Sequence, residues 1–481
     1  MSDLNTKSAV YLSKAIASKK ISPVDLVEDC IAAVEAQNSE VNAIVTPCFE
    51  TAREQAKLAE IESPKGPLHG LPVVIKDLVE TKGIRTTYGS LPFKDNVPDF
   101  DEILVERLKQ SGAIILGKTN TPEFGAGANT RNDIFGATGN PFNTDLTAGG
   151  SSGGSSAALA CDMAPLATGS DLGGSLRIPA SFCSVVGMRP SSGLVPSKTH
   201  VSGFSHLWSD GPMARDVEDC ALLLKAMAGF DARDPISMDA PQTLPFATAS
   251  KLKVGFSTDL GVAEVDDGIR AIFEGRKESL KGHFKTVQDA ALDMSDATKV
   301  FSVLRAESMV AAFGDLLEQK ADQIGPNVTA NVEQARQFSL IDAAKANASH
   351  TEIYRKFQAL FDDFDILICP ATAVSPFPVT QNFPIEINGK ELEGYYAWFA
   401  VTWALSLTSS PIITIPCGLD HKRMPFGIQI VGRRGTDFAL LKVAKEIEAI
   451  LERDGLGRVS PSQILERRSK LGNRFSDQTA R

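Results

Sequence analysis

Short apolar stretches alternate along the chain with segments whose apolar residues recur every three or four positions. The short stretches are rich in Val, Ile and Leu, and they predict buried strands at residues 71–76, 113–118, 251–256, 365–370, 411–416 and 426–432. The helical spacing is clearest at residues 101–112, 214–229 and 437–452. Ser22 followed by Pro23 predicts the start of another helix, which extends to Ala36. The pattern indicates an α/β protein with a central mixed or largely parallel β-sheet covered by helices on both faces.

Two regions qualify this picture. Residues 395–419 contain no charged side chain, which is long enough to raise the question of a membrane span. They include several Ser and Thr residues and Pro411, so we predict a buried helix followed by a strand instead. The region from about 285 to 360 is helix-rich, and we interpret it as an insertion in a single domain of residues 1–481.

Composition excludes several classes of function. Hydrophobic residues make up 43% of the 481 residues and charged residues 22%, as in ordinary globular proteins. The net charge of -10 gives no basic surface for nucleic acid, so we expect no nucleic-acid partner. The seven cysteines include no C-x-x-C pair, which favours reduced thiols over disulfides or a zinc site. The first twenty residues lack the apolar segment of a signal peptide, and we predict a cytoplasmic protein.

The most unusual segment is "TAGGSSGGSSAALA" at residues 147–160. A flexible linker is disfavoured because the α/β pattern continues on both sides, and a phosphate-binding loop is disfavoured because the expected lysine is missing. A second cluster, at residues 167–183, places Ser175 directly after Gly173 and Gly174. Consecutive N–H groups at such a serine can stabilise an oxyanion beside the attacking hydroxyl. A tight turn remains an alternative interpretation of these residues.

A serine nucleophile needs a base. None of the six histidines lies in a recognisable triad motif or metal-binding spacing. Lys76 ends the apolar run "GLPVVIKD", and burial there would lower its pKa far enough for it to accept a proton. The alternative, which the residues alone favour, is a lysine that reaches the surface and pairs with Asp77.

Taken together, these segments resemble the hallmark blocks of the amidase signature family of amide hydrolases. The resemblance extends almost to the C-terminus and is weakest between about 235 and 360. The matching blocks are "GLPVVIKD", "GKTNTPEFG", "FGATGNP", "GGSSGGSSAALA", "GSDLGGSLRIPASFCSVVGMRPSSG", "GPMARDVEDCALLL" and "MPFGIQIVGRRGTDFALL".

The resemblance implies a site made of Lys and Ser. Ser175 takes the position of the nucleophile, Lys76 that of the base, and Ser151, after a cis peptide bond, that of the bridging serine. The further residues that it implies are oxyanion-hole donors at Leu172, Gly173 and Gly174, substrate contacts at Gly125 and Ser152, and loop-positioning residues at Asp171 and Arg177. We expect neither a metal nor an organic cofactor, because Lys and Ser supply both base and nucleophile.

The activity implied is hydrolysis of a small-molecule amide to acid and amine or ammonia by a stand-alone amidase. Two alternatives stay open: the glutamine-hydrolysing component of a tRNA-dependent amidotransferase, and a catalytically silent binding protein. A homodimer is an open question as well, and no membrane span is expected. Trp208, Trp398 and Trp403, with Tyr395, Tyr396 and Phe399 near the latter two, either line an apolar acyl or aryl pocket or fill the core.

Overall fold

An eleven-stranded sheet forms the centre of the protein in the computed structural model, which describes residues 3–239 and 248–461. The strands of this sheet and of three small hairpins are β1 (Ile44–Pro47), β2 (Pro72–Lys76), β3 (Ile114–Thr119), β4 (Arg131–Asn132), β5 (Gly136–Ala137), β6 (Gly139–Asn140), β7 (Asn143–Thr147), β8 (Leu166–Asp171), β9 (Val186–Arg189), β10 (Ser209–Ala214), β11 (Lys253–Phe256), β12 (Thr286–Asp289), β13 (Ile366–Pro370), β14 (Glu386–Ile387), β15 (Lys390–Glu391), β16 (Ile412–Leu419) and β17 (Pro425–Val431). The large sheet has the order β1-β3-β2-β8-β10-β9-β16-β17-β13-β11-β12.

Strand directions in the large sheet are mixed. Strand β2 runs parallel to both of its neighbours, β3 and β8, and β11 runs parallel to β12 and β13. The remaining neighbours pair antiparallel. Every residue of β2 and β8 is buried, and successive side chains of a strand point to opposite faces, so both faces are covered. The predicted α/β architecture is therefore confirmed.

Helices flank this sheet. They are α1 (Ala9–Ala17), α2 (Pro23–Val41), α3 (Phe49–Ile61), α4 (Ile103–Gln110), α5 (Gly153–Ala160), α6 (Arg177–Phe182), α7 (Val217–Met227), α8 (Asp267–Lys281), α9 (Ala297–Lys320), α10 (Pro326–Ala335), α11 (Leu340–Ala359), α12 (Ala400–Ser406) and α13 (Asp437–Arg453). The predicted cap of α2 is present, since the Ser22 hydroxyl accepts a hydrogen bond from the Val24 N–H at 3.1 Å. The helix continues beyond Ala36 and ends at Asn42, whose left-handed backbone (φ 52°) stops it.

The uncharged segment at 395–419 forms a helix and a strand, as expected. Helix α12 is followed by β16, and residues 398–418 are all buried. In the described part of the chain, no helix is long and apolar enough to cross a membrane. The region predicted to be helix-rich contains α9, α10 and α11 after the edge strand β12. Its status as an insertion within one domain stays a prediction.

The hydrophobic core has two main parts. One packs the sheet against helices such as α2, α7 and α13, and the other surrounds α9 and α12. Leu176 belongs to the first part and Ile178 to the second. The loop between β8 and α6, which carries Ser175, therefore lies where the two parts meet. The seven cysteines are free thiols, six of them buried.

Candidate active site

The glycine- and serine-rich stretch at 147–160 is buried along its whole length and is not a flexible linker. It leads from β7 into α5, and the Gly150–Ser151 peptide bond is cis. At Gly154 a Cβ atom would lie 2.3 Å from the backbone nitrogen of Asn120. Only glycine permits so close an approach of α5 to the loop after β3. This packing fixes the turn that carries Ser151.

Lys76 is fully buried at the carboxyl end of β2. Its Nζ donates hydrogen bonds to the hydroxyls of Ser151 at 2.6 Å, Ser152 at 2.9 Å and Ser170 at 2.9 Å. The carboxylate of Asp77 instead accepts a hydrogen bond from the Thr87 hydroxyl at 2.5 Å. The interpretation of Lys76 as a surface lysine paired with Asp77 is therefore wrong, because the parallel neighbours of β2 cover the lysine.

Burial changes the acid–base chemistry of Lys76. Loss of hydration lowers its pKa to about 7, although the charges of Asp210 and Asp171 oppose this shift. The hydroxyl partners of Nζ carry no charge that would hold the proton on the amine. A neutral lysine is therefore accessible near neutral pH, and its lone pair can accept a proton from a neighbouring hydroxyl.

Ser175 lies in the loop between β8 and α6, held from both sides by Asp171. The N–H groups of Gly174 and Leu176 donate to the Asp171 carboxylate at 2.9 and 3.1 Å. The Ser175 carbonyl accepts a hydrogen bond from the Ser152 N–H at 3.2 Å, which joins this loop to the turn of Ser151. The N–H of Gly174 is thus already occupied within the loop.

Asp171 is itself anchored by a buried ion pair. The Arg177 guanidinium meets its carboxylate through Nε and Nη2, each at 2.9 Å, and Arg189 contacts it at 3.3 Å. Burial raises the pKa of Asp171, but the charge and hydrogen bonds of Arg177 outweigh burial and hold it at about 2. Through Nη1, Arg177 also donates to the Thr402 carbonyl at 2.7 Å and the Gln429 side chain at 2.8 Å. The loop of Ser175 is thereby tied to α12 and β17.

This arrangement agrees with the comparison with known families. The family model described as Amidase matches residues 25–441. The chain belongs to the amidase signature family. It is an amide-hydrolysing enzyme.

Similar proteins extend over nearly the whole amidase. It is 33% identical over 461 residues to an acylamidase of Rhodococcus erythropolis, covering 93% of this chain and 96% of the relative. It is 34% identical over 484 residues to the A-type component of the glutamyl-tRNA(Gln) amidotransferase of Dehalococcoides mccartyi, covering 92% and 97%. The solved structure of a bacterial aryl acylamidase of the same family is similar with a TM-score of 0.84 and 28% identity, covering 92% and 96%.

Two neighbouring cavities open beside Ser175 in the amidase. The smaller one, about 40 Å³, is lined by Ser175 together with Gly125, Leu172 and Gly173. The larger one, about 340 Å³, is mostly apolar, and its aromatic lining residues are Tyr88, Phe93, Phe124, Phe313 and Trp208. The two share Phe124, Leu172, Trp208 and Met309 as lining residues. An apolar group in the larger cavity therefore has a route to the serine.

Gly125 and Ser152 occupy different surroundings. A Cβ atom at Gly125, where φ is +72°, would lie 3.3 Å from the Ser151 Oγ and 3.0 Å from Leu78 Cδ1. Ser152 is buried, and besides Lys76 its hydroxyl contacts the Ser170 N–H at 3.3 Å. Gly125 thus lies between the smaller cavity and Ser151, whereas the Ser152 side chain is bonded to the lysine and lines neither cavity.

The tryptophans divide between the cavities and the core. Trp208 lines both cavities, and Tyr395 and Phe399 line the smaller one. Trp398 stacks on Phe182 and Trp403 on Phe301, with ring centroids 6.4 and 4.8 Å apart. Those two tryptophans fill the core, as the second interpretation of the aromatic cluster expected.

Some residues of the site were not singled out in the sequence. Ser170 binds the Lys76 amine, and the Thr168 hydroxyl accepts a hydrogen bond from the Lys76 backbone at 3.2 Å. Both lie on β8 two positions apart, so the alternation of side chains along a strand places them on one face. That spacing was the available signal. Nothing local to residue 305 indicates that Arg305 also lines the smaller cavity.

Proposed function

We propose that this amidase hydrolyses the C–N bond of a small carboxylic acid amide through an acyl-enzyme on Ser175, with Lys76 as the base and Ser151 as the proton relay. The observation that carries the proposal is the buried Lys76, whose pKa is lowered to about 7 and whose Nζ lies 2.6 Å from the Ser151 Oγ. A lysine without a carboxylate partner in its hydrogen bonds is suited to proton transfer rather than to ion pairing.

The reaction proceeds in two halves. Neutral Lys76 accepts the proton of Ser151, which accepts that of Ser175, and the Ser175 oxygen attacks the amide carbonyl. The proton then returns through Ser151 to the nitrogen, the C–N bond breaks, and the amine leaves. Water next attacks the acyl-enzyme, giving one proton to the same relay, and the Ser175 oxygen leaves with that proton as the acid is released.

The oxyanion of each tetrahedral intermediate needs N–H donors. Because the Gly174 N–H is bonded to Asp171, we assign this role to the backbone N–H groups of Leu172, Gly173 and Ser175. Each such donor contributes about 3 to 4 kcal/mol to lowering the barrier. Asp171 faces the two guanidinium groups of Arg177 and Arg189, so the buried cluster below the loop carries one excess positive charge, which favours the oxyanion.

The apolar character of the larger cavity supports a stand-alone acylamidase. Its aromatic lining suits an acyl or aryl group, in keeping with the relatives described as acylamidase and aryl acylamidase. The similarity to a component of an amidotransferase makes glutamine hydrolysis the second candidate. Glutamine is polar throughout and would leave the aromatic lining unused. Steady hydrolysis of glutamine, with no turnover of aryl or acyl amides, would favour that second candidate.

Covalent labelling tests the proposal. The purified protein is treated with a fluorophosphonate, its intact mass is measured, and the adduct is located by peptide mapping. We expect one adduct on Ser175, none in Ser175→Ala, and strongly slowed labelling in Lys76→Ala. Ser205→Ala, which changes a serine of the larger cavity, is the matched control and should be labelled normally. An adduct on another serine, or undiminished labelling of Lys76→Ala, would overturn the assignment.

A further inference from the structure

A buried arginine without an anionic partner lines the same small cavity as Ser175. Arg305, on α9, is 6% exposed. Among the described residues, no acceptor lies within hydrogen-bond distance of its Nη1. Burial lowers the pKa of Arg305 to about 10, and the one described group whose charge opposes this shift is Tyr396. An arginine buried in this way normally pairs with a carboxylate or phosphate, because an uncompensated buried charge is costly.

The guanidinium is held by its faces rather than by its edge. Its Cζ lies 4.8 Å from the centroid of the Tyr395 ring and 5.3 Å from that of Tyr396. The Tyr395 hydroxyl accepts a hydrogen bond from Asn331 at 2.7 Å, and the Tyr396 hydroxyl one from Gln334 at 3.2 Å. Cation–π contacts with these fixed rings position the charge without using the N–H donors along the guanidinium edge. The Nη1 donor is therefore available to a ligand.

The charges of the two cavities are complementary to a substrate with one anionic end. Arg305 is the one formally charged side chain among the described residues that line the smaller cavity. The larger cavity has no Lys or Arg among its lining residues and includes the carboxyl group of Glu80. Its His200 is neutral, because burial lowers the pKa of that imidazole to about 4. An anion is thus favoured beside Arg305, and an apolar group is favoured in the larger cavity.

We propose that Arg305 binds a carboxylate of the substrate, so that the natural amide carries a carboxylate near its scissile bond and an apolar group on the other side. A carboxylate matches the edge of a guanidinium and would supply the acceptor that Nη1 lacks. The smaller cavity, at about 40 Å³, accommodates a group of this size but no aromatic ring. This inference rests on the proposed function, because it takes Ser175 as the point of attack.

Matched substrates test the inference. Hydrolysis of succinyl 4-nitroanilide is compared with that of its neutral isostere pentanoyl 4-nitroanilide. Butanoyl 4-aminobenzoate is compared with butanoyl anilide, which moves the carboxylate to the amine side. Each pair is measured with the unmodified enzyme, with Arg305→Gln and Arg305→Lys, and with Arg336→Gln as the control. Arg336 is a surface arginine that pairs with Glu318 and Glu333.

We expect the unmodified enzyme to prefer the carboxylate member of at least one pair by about 10- to 100-fold in kcat/KM. Arg305→Gln should abolish this preference mainly by raising KM for that member, with little change for the neutral one. Arg305→Lys should keep part of the preference, and Arg336→Gln all of it. Equal rates for both members of both pairs in the unmodified enzyme, or equal losses for both members in Arg305→Gln, would overturn the inference.

A second measurement needs no variant. Benzoate should protect Ser175 from the fluorophosphonate at concentrations where benzyl alcohol does not, and equal protection by the two would contradict a carboxylate site. Failure of the proposed function gives a different result. In that case Ser175 takes no adduct and neither member of any pair is hydrolysed, whereas an incorrect role for Arg305 leaves labelling and hydrolysis of neutral amides intact.

Discussion

The Nζ of Lys76 lies 2.6 Å from the Oγ of Ser151, although 75 positions separate the two residues in the sequence. The lysine ends β2, and the serine lies in the turn before α5, which packs against β2 and β8. The same packing removes water from the amine and lowers its pKa to about 7. One structural feature therefore both positions the proposed base and makes its neutral form available.

This shift predicts the pH dependence of activity. Because the active form of Lys76 is the neutral amine, kcat/KM for an amide without ionisable groups should rise with pH through about 7 and level off above it. Below pH 6 the rate should fall about tenfold per pH unit, as expected for loss of one proton-free base. Lys76→Arg should be inactive at every pH, since a guanidinium stays protonated. A profile that is flat between pH 5.5 and 8.5 would contradict Lys76 as the base.

Ser151 and Ser152 offer a comparison of two adjacent hydroxyls on one amine. Both accept a hydrogen bond from Lys76, at 2.6 and 2.9 Å, but only Ser151 lies next to Gly125 at the smaller cavity. Ser151→Ala should reduce kcat by about 10³-fold, as for loss of a proton-transfer group. Ser152→Ala should reduce it by about tenfold or less. Larger loss in Ser152→Ala, with both variants folded by circular dichroism, would exchange the roles of the two serines.

Gly125 leaves space for the Ser151 hydroxyl. In Gly125→Ala the new Cβ would lie 3.3 Å from that oxygen, and the φ of +72° adds about 1 to 2 kcal/mol of backbone strain. We expect a loss of kcat/KM of at least about tenfold, corresponding to about 1.4 kcal/mol in the barrier. Gly136→Ala is the matched control, because φ is +79° there and no atom lies within 4 Å of the new Cβ. That variant should lose stability but keep its kcat/KM, and equal losses in both would point to strain alone.

Asp171 should control stability as well as the position of Ser175. Asp171→Asn keeps the size of the side chain but leaves Arg177 and Arg189 without their buried counter-charge, which should cost about 3 to 5 kcal/mol of unfolding free energy. Urea unfolding followed by circular dichroism measures this change. Asp293→Asn, which breaks an exposed ion pair with Lys356, is the control and should unfold at nearly the same urea concentration as the unmodified protein.

The same ion pair predicts a loss of stability in acid. The folded pKa of Asp171, about 2, lies below its ordinary value of 3.8. The folded state therefore binds the proton less readily than the unfolded chain, so this contribution is full above pH 4 and is lost as pH falls towards 2. In Asp171→Asn the acid-induced loss between pH 4 and 2 should be smaller. An unchanged acid profile would show that other carboxylates dominate it.

Local sequence patterns were sufficient for the elements and for several residues of the site. The Val- and Ile-rich run before Lys76 predicts a strand, and its apolar residues on both faces predict burial, because alternating side chains reach both sides of a sheet. The cap formed by Ser22 and Pro23 fixes the start of α2 in the same local way. The order and type of the chemical groups, two glycines before Ser175 and a lysine after an apolar strand, are likewise properties of short segments.

Only the tertiary structure decided how these segments meet. The pairing of β2 with β8 buries Lys76, which the residues alone placed at the surface, and brings Ser170 to its amine. The contact of the Gly174 N–H with Asp171 and the position of Arg305 beside Ser175 depend in the same way on loop conformation and on the packing of α9. Periodicity reports how each segment divides its surface between core and solvent. Distances between groups far apart in the chain depend on which faces pack together, and that is a property of the whole fold.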